Sequence, residues 1–91
     1  MLFAMAFEKT LARVLGGQAD ANLSFSEITG LLAALGFQER VKGSHHIFSR
    51  SGIAEILNLQ PLGGKAKPYQ VRQVRSMILK YRLARGQDDL L

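Results

Sequence analysis

"FQERVKGSHHIFSRSGIAEILNL", residues 37–59, decides the fold. Phe37, Glu39 and Val41 alternate with Gln38, Arg40 and Lys42, a period of two that predicts a strand with one polar, basic face. Gly43-Ser44 reads as a turn, HHIFSR (45–50) as a second strand, Ser51-Gly52 as another turn, and 53–59 as a third strand. Connections this short predict an antiparallel meander. Alternation does not assign the faces around the two histidines, because Ile47 and Phe48 are both apolar. Whether His45 or His46 meets solvent is open at this level.

Outward from the meander the period lengthens. Phe3, Phe7, Leu11, Val14 and Leu15 form one stripe of a helix over residues 2–15, stopped by Gly16-Gly17. Ser24-Phe25-Ser26-Glu27 has the S-x-x-E spacing in which serine and glutamate satisfy each other's free N–H groups at a helix start. Ile28, Leu31, Leu32 and Leu35 share a face, and Gly36 ends that helix. Beyond the strands, Pro61, Gly63 and Gly64 break the pattern. Pro68 suits a first helical turn, and Val71, Val74, Ile78 and Tyr81 extend a stripe to about residue 84. Helices must cover the sheet's apolar face, so the expected class is α+β in two layers. The expected compact unit is 24–84, preceded by an N-terminal helix and connection (1–23) and followed by a tail (85–91). The N-terminal helix either completes the core or makes a homo-oligomer contact.

Ninety-one residues hold one domain. No apolar run reaches the roughly 18–20 residues of a membrane span, and the opening MLFAMAF breaks at Glu8 and Lys9, short of a signal-peptide core. The chain has no cysteine, which fits a reducing cytoplasm and excludes thiolate metal sites. Charge is strongly segregated. Residues 1–39 carry a balance of −2, residues 40–85 a balance of +9 with Glu55 their single acid, and residues 86–91 a balance of −2. Positive charge gathered in one half is the footprint of a polyanion binder, nucleic acid above all.

The histidine pair lies inside that basic half. Neighbouring residues on a strand point to opposite faces, so His45 and His46 are poorly placed to grip one ion, and no metal or other cofactor is expected. Two readings remain open. The pair is hydrogen-bonded and inert at a strand start, or one imidazole moves a proton at a phosphodiester while Arg40, Lys42 and Arg50 balance charge on the phosphate. A second basic cluster favours the latter. Lys65 and Lys67 sit among flexible glycines just before the last helix, whose free N–H groups attract phosphate. Arg72 and Arg75, three apart, share one side of that helix and read either as a solvated face or as further phosphate contacts.

Taken together, these residues resemble the HicA family, the mRNA-interferase toxins paired with HicB antitoxins. The resemblance runs from about Ser24 to Tyr81. A leucine-rich helix ends in "LGF" (35–37), a basic strand enters "GSHHIF" (43–48), the third strand runs into Pro61, and a Gly/Lys/Pro segment opens the last helix. It implies a core like that of double-stranded-RNA-binding domains, α-β-β-β-α, here with an additional N-terminal helix. It also implies a cytoplasmic, metal-independent endoribonuclease with His45 catalytic. Lys42, Gly43, Ser44, His46, Lys65, Lys67, Arg72 and Arg75 would contact RNA, with mRNA as substrate and a HicB-type antitoxin as partner. Many members carry a second histidine beside the proline, where this chain reads Leu59-Gln60-Pro61-Leu62. The same fold resemblance supports a competing expectation, a non-catalytic double-stranded-RNA-binding module. There Gly43 and the histidines match a G-P-x-H loop contact, with Ser44 in the proline's place and His46 reaching the minor groove.

Overall fold

The computed structural model describes residues 2–84, with side chains from Phe7 onward; the expected tail 85–91 and the side chain of Phe3 lie outside the described residues. The elements are α1 (Leu2–Gly16), a short 3-10 turn (Asp20–Asn22), α2 (Phe25–Ala34), β1 (Gln38–Lys42), β2 (His45–Arg50), β3 (Ile53–Leu59) and α3 (Pro68–Tyr81). The result is an α+β fold with a three-stranded antiparallel sheet in the order β1-β2-β3, compatible with the expected α-β-β-β-α core.

Local chemistry explains the boundaries. At the start of α2 the Glu27 N–H donates to Ser24 Oγ at 3.0 Å, and the Ser24 N–H donates to Glu27 Oε1 at 2.9 Å, so two orphan donors are satisfied reciprocally. At its end Gly36 takes φ 92°, which lets Gly36 N–H reach Ala33 O and Phe37 N–H reach Leu32 O, both at 3.0 Å. That doubled closure needs a left-handed residue, which glycine supplies without penalty. Helix α3 stops at Tyr81 rather than near 84, because Arg82 adopts φ 52°. The turn it makes returns Leu83 to the core edge and buries Ala84.

The sheet's inward face carries Phe48, Leu57 and Leu59, all nearly inaccessible. They meet Phe25, Ile28, Leu31 and Leu32 of α2 and Val71, Val74 and Ile78 of α3 in one core. Helix α1 belongs to the same core: Leu11 and Val14 are buried in it, so this helix and the expected unit 24–84 share their interior. Two arginines fix α1 in place. Arg13 Nη1 donates to Glu27 Oε2 at 2.8 Å and Arg13 Nη2 to the Asn22 carbonyl at 3.1 Å. Arg75 holds both Asp20 oxygens, at 2.9 and 3.2 Å, and also the Val14 carbonyl at 3.0 Å. The last bond satisfies one of the orphan carbonyls at the C-terminus of α1.

Candidate active site at the hairpin tip

The strand register assigns the faces that the sequence left open. Lys42 pairs with His45, Val41 with His46, Arg40 with Ile47 and Glu39 with Phe48; on the other side Ile47 pairs with Asn58 and Phe48 with Leu57. Side chains alternate across a strand, and Phe48 is buried against the helices. His46 therefore points inward with Phe48. His45 points outward with Ile47, Lys42, Arg40 and Asn58, onto a sheet face rich in cations. Gly43 at φ 62°, followed by Ser44 at negative φ, makes the two-residue II′ turn that holds the hairpin tip.

His45 is exposed, and its Nδ1 lies 3.1 Å from Asn58 Oδ1. A carboxamide oxygen can only accept, so in this pairing Nδ1 is the donor and Nε2 is the ring nitrogen left for other chemistry. Lys42, directly across the hairpin, supplies a positive charge on the same face. His46 differs in every respect. Its Nδ1 meets Glu39 Oε2 at 2.6 Å, and its ring stands edge-on to Phe25, centroids 4.8 Å apart at 70°. His46, expected as an RNA contact, is committed to the rim of the core.

The second basic cluster is tied to the hairpin through residues that the sequence did not mark. Gln60 Nε2 donates to Ser44 Oγ at 2.8 Å. The Gln60 backbone is in turn gripped by the buried Gln70 side chain in the first turn of α3. With its carboxamide turned to satisfy both groups, Gln70 accepts from Gln60 N at 3.2 Å and donates to Gln60 O at 3.1 Å. Around this clamp the 61–67 loop is pinned to α2, with Phe25 N–H on Gly64 O at 2.9 Å and Ala66 N–H on Leu23 O at 3.0 Å. Lys65 is exposed on that loop, and Lys67 is the residue capping α3. Hairpin tip, loop and helix N-terminus thus form one pole of the molecule. Gln60 itself is a hydrogen-bonding residue with no proton to exchange near neutrality.

The two helical arginines part company. Arg72 is exposed and lines an open groove of about 500 Å³ between β3 and α3, together with Asn58, Tyr69 and Ser76. Arg75, expected beside it as an RNA contact, is instead taken up by Asp20 and the end of α1, with 20 % of its side chain exposed. The far end of the groove holds Glu55, whose carboxyl is drawn below its ordinary range by hydrogen bonds from Tyr81 and Lys80. The Tyr81 hydroxyl is correspondingly pushed up, chiefly by its hydrogen bond to Glu55.

Among the described residues no three potential metal-ligating side chains converge, and no helix is long and apolar enough to cross a membrane. Compared with family models, curated proteins and solved structures, the chain finds no match. The residues missed at sequence level are Asn58, Gln60, Tyr69 and Gln70. A polar residue inside an apolar strand (Asn58 in ILNL) was the one signal that pointed to any of them.

Proposed function

We propose that this protein is a metal-independent endoribonuclease of the HicA type, acting on mRNA in the cytoplasm and held in check by a HicB-type antitoxin. The observation that carries the reading is His45: exposed, outward-facing, paired with Lys42, and held by Asn58 with Nε2 free. Neutral His45 takes the proton from a ribose 2′-hydroxyl at Nε2 as O2′ attacks the adjacent phosphorus. The bond to the 5′-oxygen breaks, that oxygen takes its proton from water, and a 2′,3′-cyclic phosphate is left. Lys42 offsets charge building on the phosphoryl oxygens, while Lys65 and Lys67 hold flanking phosphates at the start of α3. The competing duplex-binding reading needs His46 to reach a minor groove, and that ring is occupied by Glu39 and Phe25.

End-group analysis of RNA cut in EDTA tests the chemistry. Cyclic phosphate and 5′-hydroxyl ends are expected. Products with 5′-phosphate and free 3′-hydroxyl ends rule out 2′-hydroxyl attack, and duplex RNA bound but uncut returns the passive binder.

A further inference from the structure

The groove between β3 and α3 begins where the candidate active site ends. Asn58 is common to both: its carboxamide oxygen holds His45, and it lines the groove. Across from it stand Tyr69, half exposed, and Arg72, exposed and without an acidic partner among the described residues. Tyr69, Arg72 and Ser76 follow one another at steps of three and four, so one side of α3 faces the strand with an aromatic ring, a guanidinium and a hydroxyl. Ile56, 62 % exposed, gives the strand side an apolar wall. The groove's carboxylate, Glu55, lies three residues from Asn58, about 10 Å along the strand, and is engaged by Lys80 and Tyr81. The end nearest His45 is therefore free of negative charge.

We infer that this groove is a nucleotide subsite, taking one base and its phosphate immediately beside the phosphodiester presented to His45. The inference rests on the ribonuclease reading for its direction, since it continues the same RNA strand away from the hairpin tip. Its chemistry stands separately. An aromatic ring stacks on any base, and an arginine beside it binds phosphate through a planar fork of donors. A volume of about 500 Å³ lies within the roughly 300–1,000 Å³ usual for small-ligand sites.

The experiment uses the full chain carrying His45→Ala, titrated with adenosine 5′-monophosphate and followed by backbone-amide NMR. Saturable shifts are expected at Asn58, Tyr69, Arg72 and Ser76. Adding Tyr69→Ala weakens binding about tenfold, as loss of a stacking partner does, whereas Tyr69→Phe changes it less than about twofold because stacking survives. Arg72→Gln weakens the nucleotide but not adenosine, which has no phosphate. Shifts confined to the Lys65–Lys67 loop, or unchanged affinity in Tyr69→Ala, overturn the subsite. The two readings fail separately. A wild-type protein that cuts no RNA yet binds the nucleotide in the groove keeps the subsite and loses the nuclease. Cleavage whose KM is indifferent to Tyr69→Ala, with no shifts in the groove, does the reverse.

Discussion

His45 and His46 are joined by one peptide bond and live in different environments. On the inward face of β2, His46 and Phe48 meet helix α2 and the core; Phe48 is 1 % exposed, and His46 spends its ring on Glu39 and Phe25. On the outward face, His45 and Ile47 stand among Lys42, Arg40 and Asn58, which are exposed. The period of two along a strand sends one imidazole to structure and the other to solvent. Residue type alone does not set a side chain's surroundings here. The face does.

The contrast should break first at the neighbouring pair. Phe48→Ala removes a fully buried ring and is expected to cost about 3–5 kcal/mol, whereas Ile47→Ala on the outward face costs within about 1 kcal/mol. Urea unfolding of both variants measures the difference. A larger loss for Ile47→Ala than for Phe48→Ala would mean that the register is shifted by one and both faces are misassigned.

A similar comparison separates the two arginines of α3. Arg75→Ala should destabilise by about 2 kcal/mol, because it strips charged hydrogen bonds from Asp20 and the Val14 carbonyl. Arg72→Ala should leave stability within about 0.5 kcal/mol and weaken RNA binding, with a smaller salt dependence. RNA affinity lost in Arg75→Ala without loss of stability would return that residue to the binding surface.

The smallest expected effect lies away from both sheet faces. Glu27 is held below the ordinary glutamate range chiefly by the Ser24 N–H, with Arg13 adding to it against partial burial. Because its folded value is depressed, its stabilisation is present above the unfolded value, about 4.3, and is lost as pH falls through the lower folded one. Glu27→Gln, which keeps the capping geometry but not the charge, should lower Tm slightly at pH 7 and flatten the acid limb of a Tm-against-pH curve, the two proteins converging at low pH. An unchanged acid limb would mean that other carboxylates set it.

Most of the fold was legible because its signals are local. The S-x-x-E cap, the glycine closing α2, the two hairpin turns and Pro68 each act within a few residues, and the structure places elements where those residues point. The end of α3 was misread by about three residues, since a left-handed arginine at 82 has no composition signal of its own. The site was legible only in part. His45, Lys42, Lys65 and Lys67 stand exposed or half-exposed at one pole. Arg75 was misread because its partner Asp20 is 55 residues away, a pairing that no periodicity reveals. Asn58 and Gln70 were overlooked for the same reason: each acquires its role only when the third strand and last helix close on the hairpin.

The central claim is that the outward imidazole does chemistry and the inward one does packing. A crossed measurement tests it, with RNA cleavage in EDTA and thermal melting both recorded for His45→Ala and His46→Ala. His45→Ala should abolish cleavage with Tm nearly unchanged. His46→Ala should keep cleavage while losing about 1 kcal/mol, roughly 4–8 °C in Tm for a domain of this size. Cleavage that survives in His45→Ala, or disappears in a fully stable His46→Ala, contradicts the account.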